Sequence, residues 1–312
     1  MKVLVTGVTG MIGTHFARVC RERGWETYGV ARSSAASRLA TEDASVIRCD
    51  VLDREALEAV FRQVDPGIVI HLAAQAFNGT SWGLERSTLD ANVFGTLNVM
   101  WCCRRVCPKA KVLLACSSAE YGNVPIGECP LHEERLLRPV SPYGISKVAT
   151  ECIGFQYHSN YGIPVYFPRL FIHVGTGHPP ATAVQSFSRQ LALIAKGKIA
   201  PVIRVGVLDT ARDFIDVRDG VRGMMMMLDG GQPGVPVNIC TGKGYTIGEC
   251  LELLIEIAGV RVTVQHDPLL TRPSDEALLL GDNSRLRALG WVPEFTMRQT
   301  LEAVHADWLS RV

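Results

Sequence analysis

The chain has 312 residues, 47% of them hydrophobic and 20% charged, which fits one large or two unequal globular domains and excludes wholesale disorder. Its formal net charge is +1, and its lysines and arginines are scattered, so nothing points to a nucleic acid or another polyanion as partner. No run reaches the roughly 18 apolar residues that a bilayer span needs, and the apolar part of the start, Met1–Gly7, is too short for a secretory signal. A cytoplasmic protein off the membrane is expected, its ten cysteines free thiols. None forms a Cys-x-x-Cys pair, and Cys102, Cys103 and Cys107 share a predicted helix without further ligands. They read as buried small apolar residues rather than a metal site, and no metal is expected.

In chain order, short β-rich runs alternate with helical stretches. Strands are predicted at 2–6, 27–31, 46–48, 68–72, 112–115 and 165–167, and helices at 11–23, 54–64, 84–106 and 143–161. Several strand runs are apolar throughout, as strands buried on both faces must be. Steps of roughly 20–30 residues suit right-handed βαβ crossovers. The fold class is therefore α/β, a Rossmann-type doubly wound parallel sheet occupying residues 1–170. Beyond residue 170 the pattern loosens: a helix at 184–196, a helix at 217–228, a strand at 237–240, a helix at 246–258, then the segment 261–265, a loop and two short helices. These fit a smaller mixed α/β substrate domain, 171–203 and 241–312, with 204–240 returning to the sheet. The Met224–Met227 run reads as core filler on a helix.

Gly7-Val8-Thr9-Gly10-Met11-Ile12-Gly13 follows the first strand directly and opens the first helix. Each glycine serves a mechanical purpose. Gly7 makes the tight turn, Gly10 lets backbone approach a pyrophosphate, and Gly13 lets the helix pack close. The N–H groups at the helix start face the negative charge, Met11 and Ile12 among them. An NAD enzyme wants an acid at the end of the second strand. Here that strand ends in Ala31 with Arg32 beside it. An arginine forms charge-assisted hydrogen bonds with a 2′-phosphate that a carboxylate would repel, so NADP(H) is expected. Asp50 and Val51, after the third strand, are candidates to edge the adenine, and Asp53 reads equally as a helix N-cap.

Tyr143 and Lys147 stand four residues apart at a helix start and project from one face. A neighbouring ammonium favours phenolate, so the tyrosine pKa is expected to fall from about 10 toward working pH. That suits proton transfer between a carbinol and a ketone. Ser117 follows a strand, where sheet enzymes place ligands, and can bind the same substrate oxygen.

These motifs, together with the His71-Leu72-Ala73-Ala74 turn, Asn92, Tyr121-Gly122, Arg212-Asp213-Phe214 and Arg272-Pro273-Ser274, resemble the extended short-chain dehydrogenase/reductases over nearly the whole chain. Stretches such as Val205–Leu208, Asn238–Gly242, Pro268–Asp275 and Gly290–Pro293 are most similar to the GDP-mannose-modifying branch. The resemblance implies Tyr143 as proton donor, Ser117 as orienter and Lys147 on the nicotinamide ribose. Asn92 would be a helix-distorting support for the lysine, or simply a helix-interior hydrogen bond. Leu72, Ala73 and Ala74 would line the cofactor. Gln75, Ser118, Ala119, Glu120, Ile172, Arg189, Arg212, Arg272 and Asp275 would face a nucleotide-diphosphate sugar, with GDP favoured. Arginines suit a diphosphate, though a surface ion pair is the competing account for each.

Dehydratases of this branch carry a glutamate two residues before the tyrosine matching Tyr121; here that position is Ala119. Glu120 is adjacent, but in extended backbone a one-residue shift reverses the face. Elimination of water is thereby disfavoured, and NADPH-dependent reduction of the C4 ketone of a 4-keto-6-deoxyhexose is expected. A C4 epimerase or 4-dehydrogenase is the alternative, and a non-catalytic NADP(H) sensor a more distant one. Ile172 stands where relatives usually have asparagine, and isoleucine donates no hydrogen bond. A different sugar or a different reaction at C4 therefore stays open. Family analogy also implies a homodimer through the helices 84–106 and 143–161.

Overall fold

The structure is a computed structural model and is described for residues 1–32, 43–270 and 278–312. Among these, eight parallel strands form the main sheet. Its path runs β11 (Pro236–Ile239), β7 (Val165–Leu170), β5 (Lys111–Leu114), β4 (Ile68–His71), β1 (Lys2–Thr6), β2 (Glu26–Ala31) and β3 (Ser45–Arg48), with β6 (Cys116–Ser117) beside β7. The strand order reverses between β1 and β4, which opens a crevice at their carboxyl ends.

Alternating side chains send each strand into two cores. Val3 and Val5 pack under the helices Met11–Glu22 and Val217–Gly230, while Leu4 faces the other way toward the helices Arg54–Val64 and Gly95–Val106. Ile70 and Leu113 join the first core; Val69 and Leu114 join the second. Met224, Met225 and Met227 are buried in the first, as expected of core filler. Cys102, Cys103 and Cys107 are buried in the second, as free thiols.

A smaller sheet holds β12 (Gly244–Thr246), β10 (Ala211–Asp216) and β14 (Leu278–Leu279), with β8 (Ile172–Val174) on β10; β12 is antiparallel to its neighbour. A two-stranded piece pairs β9 (Val202–Val205) with β13 (Thr263–His266). A third core joins the helices Ala183–Ala195, Ile247–Ala258 and Met297–Arg311. Residues 217–239 therefore pack with the main sheet, while β9 and β10 lie outside it.

Three buried aspartates in one stretch tie these parts together. Asp213 accepts from Thr241 N (2.8 Å), Thr241 Oγ1 (2.7 Å) and Gly242 N (2.9 Å). Asp216 caps the helix Val217–Gly230 through Arg218 N (2.8 Å) and takes Thr300 Oγ1 at 2.7 Å. Asp219 receives Glu294 N (3.1 Å) and Phe295 N (3.0 Å). A buried carboxylate is tolerated when several donors replace its water. Asp213 nonetheless rises from 3.8 to about 6, because burial outweighs those donors.

The helix expected over 84–106 is broken. Glu85–Leu89 and Gly95–Val106 are α-helical, and between them Asp90–Phe94 widens into a π turn. Asn92, at its centre, is buried and bonds other segments, and such bulges recur at functional sites. The C-terminal helix Met297–Arg311 is longer than expected, closed at its start by a capping box from Thr296 and Gln299.

Candidate active site

The crevice is one cleft of about 1010 Å³ between the two sheets. Gly7, Gly10, Met11, Ile12 and Gly13 form one end of it. Gly7 has φ +72, and a Cβ there would lie 2.7 Å from Ala73 N. At Gly13 a Cβ would lie 2.4 Å from Gly7 O and 2.7 Å from Val8 Cα. Only bare backbone fits in both places. No side chain caps the helix start at Gly10, so that end is left to accept an anion. The cradle thus fits a dinucleotide. Arg32, Asp50, Val51, Leu72, Ala73, Ala74 and Gln75 line the same stretch. Arg32 is exposed at the end of β2. Asp50 turns its carboxylate to Leu52 N at 3.0 Å, and the N-cap of the helix Arg54–Val64 is Asp53, which accepts from Ala56 N at 3.0 Å.

Asn92 fixes the loop after β4. Its Oδ1 accepts from Gln75 N (2.7 Å), and its Nδ2 donates to Gln75 O (3.1 Å) and to Ser146 Oγ (2.8 Å). It therefore anchors Gln75 and the residue before Lys147, rather than bonding the lysine itself. His71 is enclosed between Thr6 Oγ1 (2.7 Å) and Thr96 Oγ1 (3.1 Å), and burial lowers its pKa to about 3.

The helix Pro142–Tyr161 starts with Ser141 accepting from Gly144 N at 3.1 Å and with proline at its first position. A Cβ on Gly144 would lie 2.5 Å from Ala119 O, so this glycine lets the helix press onto the turn Ser118–Glu120. That contact brings Tyr143 beside Ser117, whose hydroxyl favours the phenolate. Ser117, Tyr143 and Lys147 all line the cleft, with Ser118 and Ala119 beside them. Lys147 is 5% exposed and donates from Nζ to Ala115 O at 2.6 Å.

The expectation that Lys147 lowers the Tyr143 pKa is corrected. Burial dominates and pushes Tyr143 up to about 12, offset in part by the nearby Ser117 hydroxyl. The ammonium sits 5.8 Å from the ring centroid, is held by a carbonyl, and is itself lowered by burial. The phenol therefore keeps its proton at neutral pH.

Glu120 is a second correction. It is fully buried and points away from the cleft, because the turn after Ser117 carries it to the reverse face. Arg189 is a third: it is exposed, and its helix offers Val184, Ser186 and Phe187 to the cleft instead. Ile172 and Arg212 do line it, the latter donating Nη1 to Ala211 O at 2.9 Å. Arg272 and Asp275 lie outside the described residues.

Sequence reasoning missed Arg204, Thr210 and His173, which also line the cleft. Arg204 sits on β9, a four-residue strand too short to show periodicity. His173 binds Phe171 O through Nδ1 (2.9 Å) and has Nε2 buried without a partner.

Residues 4–304 match the family described as GDP-mannose 4,6 dehydratase. The chain belongs to that family. This GDP-mannose 4,6-dehydratase family member is 32% identical to GDP-6-deoxy-D-mannose reductase of Pseudomonas aeruginosa over 312 residues, covering 100% of the chain and 98% of the relative. Its fold matches the structure of RMD from Pseudomonas aeruginosa complexed with NADPH at a TM-score of 0.87 and 31% identity, covering 100% and 99% of the two chains. It also matches UDP-glucose 4-epimerase from Thermotoga maritima with UDP-glucose at 0.91 and 26%, again covering 100% and 99%. The motif resemblance and the parallel Rossmann-type sheet are both borne out. Among the described residues, no helix of this GDP-mannose 4,6-dehydratase family member is long and apolar enough to cross a membrane.

Proposed function

We propose that the chain reduces the C4 ketone of a GDP-linked 4-keto-6-deoxyhexose with NADPH, Tyr143 giving the proton. The observation that carries this reading is the Ser117–Tyr143 pair in the cleft, with the phenol held protonated by burial. NADPH, when bound, supplies the hydride to the ketone carbon. The phenol proton goes to the carbonyl oxygen, giving an alcohol, and the phenolate regains its proton from solvent. Ser117 orients the oxygen toward Tyr143, and Lys147 brings a buried positive charge to the same side. Arg32, in place of an acid at the end of β2, supports the 2′-phosphate. The reductase relative of near-equal length supports the substrate class. The alanine at position 119 removes the second acid that elimination would need.

Epimerase chemistry is the second reading, favoured by the fold match of 0.91 to a UDP-glucose 4-epimerase. The two separate by stoichiometry: with the ketosugar, loss of NADPH absorbance should equal product formed. Turnover of a nucleotide sugar with no net NADPH consumed would replace reduction by epimerisation.

We read the small sheet and its helices as the substrate-binding part and the main sheet as the cofactor-binding part. Exposed Phe94, Leu97, Ile145, Phe155 and Tyr161 on 84–106 and 142–161 support a homodimer through these helices. Light scattering coupled to gel filtration should give twice the chain mass.

A further inference from the structure

Behind Ser117, on the side away from the cleft, lies a buried group of charges that the hydride transfer does not use. Glu120 is fully buried. Its Oε1 accepts from Ser117 N at 2.7 Å, while Ser117 Oγ accepts from Ala119 N at 3.2 Å, so the two residues close a reciprocal cap on one turn. The opposite oxygen, Oε2, faces the helix Pro142–Tyr161 and β7. There Arg169 makes a bidentate pair with Glu151, Nε to Oε2 at 2.9 Å and Nη2 to Oε1 at 2.6 Å. Its Nη1 goes to Tyr121 Oη (3.1 Å) and Glu133 O (2.8 Å). Every guanidinium nitrogen is thus engaged elsewhere, and Nε comes no nearer to Glu120 Oε2 than 3.6 Å.

Two carboxyls and one guanidinium share a buried site, and among the described residues no donor reaches Glu120 Oε2. The Glu151 carboxylate, an acceptor, lies within 4.8 Å. The arrangement closes when Glu120 carries a proton on Oε2 and donates it to Glu151, which leaves one negative charge for one positive one. Burial and Glu151 both push the Glu120 pKa well up, in keeping with that geometry. A cation at Cys116, Glu120 and Glu151 is the competing use of these atoms, since they lie within 4.8 Å of one another. Arg169 already supplies the positive charge there.

We infer that Glu120 is a positioning residue: as a neutral carboxylic acid braced against Glu151 and Arg169, it holds the Ser117 amide and so fixes where the Ser117 hydroxyl meets Tyr143. The titratable and charged groups around it are Cys116, Tyr143, Lys147, Glu151, Cys152 and Arg169, from two strands and one helix, with Ser117 at the turn. Loss of the Glu120 proton would set two carboxylates against one guanidinium and loosen the Ser117 turn. An alkaline limb in kcat follows.

The inference rests on the reductase reading, and its test has one arm that does not. Glu120→Gln keeps an acceptor for Ser117 N and supplies an N–H to Glu151, so it should retain most of kcat and move the alkaline limb to higher pH. Glu120→Ala should lower kcat by roughly 10- to 100-fold, the scale of a misplaced catalytic group, with KM for NADPH little changed. Independently of turnover, the Ser117 amide should exchange slowly with deuterium in the wild type and Glu120→Gln and faster in Glu120→Ala. If Glu120→Ala fails to fold, the limb and amide exchange of Glu120→Gln still decide. A pH profile that superimposes on the wild type, Glu120→Gln as impaired as Glu120→Ala, or an unprotected Ser117 amide in the wild type would each overturn the inference. A wild type that leaves NADPH unconsumed would fail the reductase reading instead, with amide exchange still testing Glu120.

Discussion

The two sides of the cleft are built differently. On the side we read as cofactor-binding, the lining is largely main chain: Gly7, Gly10 and Gly13, the turn at Leu72–Gln75, and a helix start. On the side we read as substrate-binding, the lining groups are side chains from separate segments, Ile172, Ser186, Arg204 and Arg212, brought together by a small sheet and by Asp213, Asp216 and Asp219. A backbone site is specified by a short run of sequence, because a glycine and a strand–helix junction suffice. A side-chain site depends on distant strands meeting, so changes on that side alter what is bound while the first side still holds its dinucleotide. Tyr143, on the helix between them, serves both.

The largest effect expected is at that junction. Tyr143→Phe should cut kcat by about 10²–10⁴-fold, the usual worth of a placed general acid, and leave NADPH affinity unchanged. Steady-state kinetics beside a fluorescence titration of NADPH checks both halves. Acid should find the buried histidine of the cofactor side next. Burial takes His71 from 6.5 down to about 3, so the unfolded chain binds a proton that the folded one refuses. Stability is then intact above 6.5 and falls as pH drops toward 3, by up to about 5 kcal/mol. Urea unfolding across that range should show the slope, and His71→Gln should flatten it.

Gly13→Val tests the cradle itself. Its Cβ would enter backbone at 2.4 Å from Gly7 O, and overpacking of about 1–3 kcal/mol should weaken NADPH binding by roughly 10- to 100-fold. Nucleotide-sugar binding on the other side, followed by thermal shift, should survive. The smallest effect is at the rim. Arg32→Ala should cost NADPH about 10-fold, one charge-assisted contact at an exposed position, and leave NADH affinity as it was. Equal losses for both dinucleotides would place Arg32 outside the 2′-phosphate site.

The same contrast explains what the sequence shows in advance. Apolar runs and glycine spacing mark the main sheet from β1 to β7 and the cradle, since each signal is local. Ser117, Tyr143 and Lys147 are legible because two of them lie on one helix and the third ends a strand. Arg204 stays hidden on a four-residue strand, and Arg189 is misplaced because helical periodicity does not say which polar residue faces a cleft. Ala119 and Glu120 show the limit at one residue: Glu120 does face away, but through the turn Ser118–Glu120 rather than extended backbone, and its pairing with Glu151 and Arg169 joins segments far apart in the chain. The Tyr143 pKa is missed for a related reason, since burial depends on the whole fold and outweighs the nearby lysine. The π turn at Asp90–Phe94 likewise goes with long-range bonds, from Asn92 to Gln75 and Ser146.

Net hydride delivery from NADPH to a sugar ketone is tested most directly by isotope transfer. With NADPH deuterated at the nicotinamide C4 and a GDP-linked 4-keto-6-deoxyhexose, deuterium should appear at C4 of the product sugar, one per NADPH oxidised. Interconversion of nucleotide sugars with the deuterium still on the cofactor pool, or release of water from a GDP-hexose with none consumed, would contradict it.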